Sequence, residues 1–490
     1  MGRFDRTLSG GCRLVLAVTL PLTLSACANF SPDAGMGAVA AIAGGGAGQE
    51  VVKIRNEEEA RAAEDRVARL LRMRLTTDSA VQIALLNNRG LQAAYNELAI
   101  TEARGVEASL PPSPTLSLAR LSASMELEIE RQILVNVLGL LTLPAKREIA
   151  ERQFAQAQLK AAGETLRIAA ETRRAFYNAV AARQTAALLR DAKAAAEAAS
   201  ELIRKLGESG AVSKLDQARE HVFYAEITGE LARARQTQEA TREALMRVLG
   251  LWGDSINFQL PDALPPLPGK PKLKTDIEAE ALKGRVDVEM ARMEVEAVAR
   301  ALGLTRTTRL VNVFEIAGHS KYERVTKLSD TGETETEKTR WRGAELEIQV
   351  PLFDFGEART RQAEESYMQV VNRLAGKAVN ARSEVREAYQ RYRGAYDFAR
   401  HYEKEIVPLR QTIAEESLLR YNGMLTDIFP VLADARARIA GSSAAINALR
   451  DFWLAQVNLR SALLAGSGAP GTGPEASGVP IAAGGGGEAH

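Results

Sequence analysis

The chain has 490 residues, a formal net charge of +1, 26% charged residues and only 5% aromatic residues. A near-neutral balance offers no electrostatic hold on nucleic acid, and so few aromatics suit helical rods with solvated faces. By length alone it would hold two or three domains, but the sequence repeats itself, which points to one architecture in two halves.

Arg3, Arg6 and Arg13 precede an apolar run over residues 14–24, followed by Leu24-Ser25-Ala26-Cys27. This is the form of a secretory signal over residues 1–26, too short and wrongly flanked to span a bilayer. Its ending resembles that of a bacterial lipoprotein signal, whose cysteine is lipidated and becomes the first residue. The resemblance implies a palmitoylated Cys27, and Ala28, where Asp would retain the protein at the inner membrane, implies the outer membrane. Cys12 lies in the removed segment, so the mature chain keeps no thiol for a disulfide or a metal. His221, His319, His401 and His490 lack ligand spacing, and structural or surface roles suit them better than metal binding.

Residues 27–75 are expected to form a Gly/Ala-rich tether to residue 56 and a charged helix over 57–74. Thr77 or Asp78 is placed to cap a helix reaching Ser109, which Pro111, Pro112 and Pro114 end. Met125, Leu127 and Ile129 then alternate with Glu126, Glu128 and Glu130, and Ile133, Val135 and Val137 continue the alternation; this predicts a strand pair. Pro144 suits the first position of a long helix. The 62 residues of 145–206 contain no proline and predict a rod of roughly 90 Å. Leu159, Leu166 and Val180 fall at multiples of seven along it, and alanine fills much of the remaining seam, which favours close packing of slender helices. The turn 207–212 ends the rod, and Ser213 with Asp216 predicts a capping box for a return helix to Leu249.

A Pro-rich bridge over 251–275 leads to a second half, 276–466, matching a first half of 76–250. It opens with a helix over 276–307. Strand-like runs follow at 311–316 and 344–353, where Leu346 and Ile348 alternate with Glu345 and Glu347. The charged stretch 321–342 between them reads as an exposed loop. A second long helix ends at Tyr421-Asn422-Gly423, Thr426 or Asp427 caps its return to Leu464, and 467–490 has the composition of a disordered tail. Shifting the sequence by 213 positions brings Phe154, Glu171, Phe176 and Gly210 onto Tyr367, Glu384, Tyr389 and Gly423 without a gap. With one more position, Leu245 and Leu249 meet Leu459 and Leu463. Four strands per chain cannot close a barrel, and open edges are not tolerated in lipid, so the strands either close by oligomerisation or stay out of the membrane.

The duplicated halves, Pro351-Leu352-Phe353-Asp354-x-Gly356, the Gly210-to-Asp216 turn and Ala281-Leu282-x-x-Arg285-x-Asp287 resemble the TolC outer-membrane efflux family. With Cys27, the resemblance is to its lipoprotein branch and covers about residues 76–466. It implies a mainly α fold with a small membrane β-barrel part. Four strands from each chain of a homotrimer would close a twelve-stranded barrel, and the long helices would form a periplasmic tunnel. Glu126, Glu128, Glu130, Glu345 and Glu347 would then line water. Gly210, Ser213, Asp216, Gly423, Asp427 and Asp434 would form the periplasmic tip that meets the adaptor and gates the channel. Three positions depart from the family pattern. Val286 stands where many members have proline, the first half lacks Phe-Asp-x-Gly before its long helix, and Pro430 and Ala433 occupy the usual gate-aspartate positions.

No nucleophile–base set, phosphate loop or metal cluster is visible, so neither an enzyme nor a cofactor is expected. The expected function is a passive exit duct for drugs or heavy-metal ions. A periplasmic adaptor and an inner-membrane pump of the resistance-nodulation-division type would serve it. The competing class is a structural periplasmic coiled-coil lipoprotein, against which the glutamate-faced strands argue. At the two turns, the alternative to a working mouth is a purely local helix stop.

Overall fold

A computed structural model describes residues 30–253, 257–271, 276–328 and 334–466. The signal segment with Cys27, the tail 467–490 and part of the expected loop around Gly332 lie outside the described residues.

Small residues at the N-terminus serve packing rather than slack. Met36–Ala47 forms helix α1, with Met36, Val39, Ala43 and Ala47 buried. A side chain at Gly46 would sit 2.6 Å from Leu166 and 3.1 Å from Leu464. The segment expected as a tether is therefore docked, because its glycines and alanines let a helix lie close against its neighbours. Helix α2 (Glu57–Leu71) follows, with the Asn56 side chain accepting from the Glu59 N–H.

The helix expected to reach Ser109 is two helices, α3 (Thr77–Asn87) and α4 (Arg89–Ala108), and Thr76 is the N-cap of the first. Asn88 breaks the run with an extended backbone, and its side chain caps α4 by accepting from Leu91 N–H. The amides of Asn87 and Asn88 donate to Leu249, Gly250 and Val248 carbonyls. The break is thus tied to the end of the first return helix. In the second half, the helix expected over 276–307 divides in the same way. Helices α7 (Ile277–Gly284) and α8 (Val286–Thr307) meet at Arg285, again in extended backbone.

Between these flanking helices and the long hairpins lies one antiparallel sheet of four strands in the order β1-β2-β3-β4. Strand β1 is Thr115–Ser122 and β2 is Glu126–Asn136. The alternating run read as a strand pair is therefore one strand, and its partner is the Leu116/Leu118 alternation just after the prolines. Strands β3 (Val313–Leu328) and β4 (Thr334–Gln349) carry most of the stretch expected as a loop. Its charges masked the β-forming Tyr322, Val325, Thr326, Thr336, Thr339 and Trp341, and charge is compatible with a strand whose faces are both solvated.

Helix α5 (Val137–Glu208) has 72 residues, on the order of 110 Å of rise. It begins seven residues before Pro144, with the Asn136 side chain capping Gly139 N–H and Thr142 Oγ1 donating to Leu138 O. Pro144 lies so near this start that only one carbonyl of the first turns loses its donor. Along α5, Leu159, Leu166 and Val180 are buried together with Ala161, Ala162, Ala169, Ala170, Ala179, Ala186, Ala192 and Ala196. This alanine seam lets α1, α3, α4, α8 and the two return helices α6 (Lys214–Leu249) and α11 (Ile428–Leu464) approach one rod.

The second rod is interrupted. Helix α9 (Glu357–His401) passes through a π turn, Tyr402–Ile406, into α10 (Val407–Asn422). Pro408 has no N–H to offer, and Val407 N–H reaches back five residues to Tyr402 O; the wider turn follows from the missing donor. At the start of α9, Gly356 has φ +71° and a Cβ there would meet the Arg309 carbonyl at 2.2 Å. That is the physical requirement behind the glycine of the Pro-Leu-Phe-Asp-x-Gly motif.

Candidate functional site

Two regions concentrate the residues singled out from the sequence: the sheet and the pair of hairpin turns. The sheet pairs without a bulge, so residue parity assigns every side chain to a face. Glu130 lies opposite Lys321 and Glu128 opposite Glu323. Ala317 lies opposite Glu345 and Glu315 opposite Glu347. Glu126, Glu128, Glu130, Glu345 and Glu347 therefore share one face, which also carries Glu315, Glu323, Glu335 and Glu337. Lys321 pairs with Glu128 and lies 3.7 Å from Glu130. His319 Nε2 lies 2.7 Å from Glu345 Oε2.

The opposite face holds Leu116, Leu118, Ile129, Ile133, Val135, Phe314, Ile316, Leu346 and Ile348. Several of these are widely exposed, Leu116 at 68% and Leu346 at 59%. Among the described residues, strands β1 and β4 each have one edge without a partner strand. A sheet with one acidic face, one apolar face and two open edges is not complete by itself.

At the first turn, Gly210 takes φ +76°. Ser213 Oγ accepts from Asp216 N–H at 3.2 Å and donates to the Asp216 carboxylate at 2.7 Å. This departs from the expected capping box, because the carboxylate accepts a hydrogen bond from the Ser213 hydroxyl instead of one from the Ser213 backbone N–H. At the second turn the left-handed residue is Met424, φ +57°, while Gly423 has φ −80°. The glycine there is not the conformational pivot that the repeat suggests. Asp427 occupies the N-cap position of α11 without a side-chain capping bond. Asp434 accepts the Ser417 hydroxyl and so links α11 to α10. Pro430 and Ala433 are exposed.

A cross-hairpin ion pair near this end was not legible in the sequence. Glu220 on α6 is 3% exposed at its side chain and receives Arg436 Nη2 of α11 at 2.6 Å. The Arg436 guanidinium stacks 4.0 Å from the centre of the Phe223 ring. The two return helices are therefore joined near the turns by a polar contact that leaves Glu220 Oε1 and Arg436 Nε buried without partners. Leu215 and Val222 stand exposed beside it, and Met424 and Leu425 are exposed at the second turn, Met424 at 94%.

Midway, the Ala-Leu-x-x-Arg-x-Asp motif forms a buried clamp. Arg285, 3% exposed, bonds Asp287 through Nε and Nη2 at 2.9 and 2.7 Å and Glu384 through Nη1 at 2.8 Å. Burial disfavours its charged form, but the bonds to Asp287 and Glu384 outweigh that and raise its pKa. Its role is to fasten α8 to α9. Among the described residues no group of three His, Cys, Asp or Glu is placed to hold a metal, and no helix is long and apolar enough to cross a membrane.

No protein-family model matches the chain. It is 27% identical over 252 residues to the cobalt-zinc-cadmium resistance protein CzcC of Cupriavidus metallidurans, covering 48% of this chain and 55% of that one. The match thus spans about half the length of that curated relative. Among solved structures, the CusC transmembrane channel aligns with a TM-score of 0.66 and 15% identity, over 80% of this chain and 92% of CusC. The outer-membrane protein VceC of Vibrio cholerae aligns at 0.62 and 16%, over 83% and 97%. With its duplicated long hairpins and, among the described residues, one four-stranded antiparallel sheet, the chain has the fold of the TolC-like outer-membrane channels.

Proposed function

We propose that the protein is the outer-membrane channel of a tripartite efflux system, a passive duct that receives its substrate from an adaptor and an inner-membrane pump. The observation that carries this reading is the sheet. Its open edges call for strands from other copies, and a homotrimer closes twelve strands into a barrel without exposed edges. Its acidic face then lines water and its apolar face meets lipid, the alternation expected of an outer-membrane barrel. Cys27 adds an acyl anchor to a protein that the barrel already holds. A structural coiled-coil lipoprotein has no use for a two-faced sheet with unpaired edges.

The glutamate-lined duct suits cations, and the CzcC relative is named for cobalt, zinc and cadmium resistance. Divalent metal ions are accordingly the substrate class we favour. The adaptor meets the hairpin turns, where the exposed Leu215, Val222, Met424 and Leu425 offer apolar contact area. Ser213, Asp216 and Asp427 present polar groups at the same mouth. Separation of Glu220 from Arg436 accompanies its opening.

The test combines assembly with conduction. The full chain in mild detergent is expected to scatter light as a trimer and to give single-channel steps in planar bilayers. A monomer without conductance would refute the channel. Deleting the gene and exposing cells to cobalt, zinc, cadmium and a panel of drugs then decides the substrate. Sensitivity to drugs alone would overturn the metal assignment.

A further inference from the structure

The lipid-directed face of the sheet is not uniformly apolar. Continuing along it away from the helices, the same parity that collects Ile133, Leu346 and Ile348 collects Arg120, Arg131, Arg324, Lys338, Arg340 and Arg342. The pairing places Arg131 and Arg342 on either side of Ser320, Ile129 and Arg340 on either side of Tyr322, and Arg324 beside Lys338. All six cations are exposed. No acidic residue of the four strands falls on this face, since every strand glutamate belongs to the other one. Among the described residues, none of the six makes an ion pair. Arg340 instead lies 5.6 Å from the centre of the Tyr322 ring.

So complete a separation of charge needs a reason. Scattered surface cations would be expected to pair with the many glutamates available one residue away, but the pleat holds the two sets on opposite sides. An arginine on the lipid face is costly at the bilayer midplane and nearly free at the interface. The band must therefore lie at a membrane surface. The hairpins extend into the periplasm from the opposite end of the sheet, so this is the outer surface. Arginine stems cover apolar neighbours while their heads reach outward, and guanidinium groups bind phosphate in a bidentate fork.

We propose that this band binds the phosphate groups of phosphorylated lipid in the outer leaflet, ringing the closed barrel with lipid headgroups. The inference rests on the channel reading, because only a closed barrel turns this face outward. Its ligand is a glycolipid bearing phosphate, with lipid A as the probe. The acyl chains would lie along Ile133, Val135 and Leu346 beneath the guanidinium groups.

The experiment measures lipid retained by the full-length protein in detergent, by native mass spectrometry, with single-channel conductance recorded on the same preparations. Wild type is expected to retain bis-phosphorylated lipid A at least tenfold better than its dephosphorylated form. The variant R120Q/R131Q/R340Q/R342Q is expected to lose that preference while still conducting. Inorganic phosphate at the same molar concentration as lipid A is expected not to displace it; displacement would reveal a free-anion site and overturn the lipid assignment. Equal retention of the two lipid forms by wild type would overturn it whether or not the variant assembles. Conductance with no lipid preference refutes the band alone, whereas a wild-type protein that neither trimerises nor conducts refutes the channel beneath it.

Discussion

The two hairpins descend from one repeated sequence but hold their length in different ways. The first rod is an unbroken helix whose alanine seam is buried over most of its course, from Ile149 to Ile203. The second passes through a π turn, and α10 beyond it has no buried residue. The first turn uses a glycine in the left-handed region, whereas the second places Met424 there. A repeat thus preserves the outline and changes the mechanics: one hairpin is a packed strut, the other is firm at its base and loosely held toward its tip. On the proposed channel reading, that asymmetry suits a mouth in which one half moves against the other.

The largest effect is expected midway along the second hairpin, in its firm part. Arg285→Met leaves the carboxylates of Asp287 and Glu384 without their common partner, and losing a buried pair costs about 3–5 kcal/mol. Both carboxylates keep 31% side-chain exposure, so about 3 kcal/mol is expected. A fall in thermal midpoint on calorimetry checks it, and an unchanged midpoint would mean that this part is no firmer than the tip.

Next in size is the strand that leads into this hairpin. Ile348→Arg places a charge on the apolar face, at roughly 2–4 kcal/mol if it meets mid-bilayer lipid, while Glu347→Arg stays on the wetted face. Trimer yield in detergent is expected to fall for the first and to hold for the second. Equal yields would mean that the faces are reversed.

The tip comes third. Glu220→Ala removes the cross-hairpin pair but leaves Arg436 stacked on Phe223 and 37% exposed. Solvent relieves part of the loss, so roughly 1–2 kcal/mol is expected. The expected signature is a larger or longer-lived open conductance without loss of trimer. A variant that conducts like the wild type would remove this contact from the gating account.

The smallest effects separate the two turns directly. Gly210→Ala introduces a side chain at φ +76° and is expected to destabilise by about 1 kcal/mol. Gly423→Ala, at φ −80°, is expected to change little, and Met424→Gly to stabilise by about 1 kcal/mol. Equal costs at the two glycines, read from urea midpoints, would show the turns to be equivalent after all.

These contrasts also mark what could be read from sequence. The long helices, the buried alanines and the ends of both return helices were legible because proline-free, alanine-rich runs have few alternatives to helix. One strand and the charged halves of two others were not. Thr115–Ser122 alternates, but only over eight residues directly after a cluster of prolines. The charged half of β3 and β4 resembled a loop because strand signals usually rest on a buried face, and here β4 is exposed on both faces. Sequence alone does not say whether Gly423 or Met424 takes the positive φ in the second turn. The Glu220–Arg436 pair joins residues 216 positions apart, with no local signal to announce it. The breaks at Asn88 and Arg285 had one, a polar residue with capping or clamping chemistry inside a helical run. Reading it required the partners at Val248 and Glu384.

The orientation of the sheet underlies the whole reading, and ion selectivity measures it most directly. With the full-length protein in a planar bilayer and a tenfold gradient of potassium chloride, the glutamate face as lining makes the channel cation-selective. Neutralising Glu126, Glu128 and Glu130 to glutamine is expected to weaken that selectivity. A reversal potential of the opposite sign would place the arginine band inside the pore and contradict the assignment of both faces.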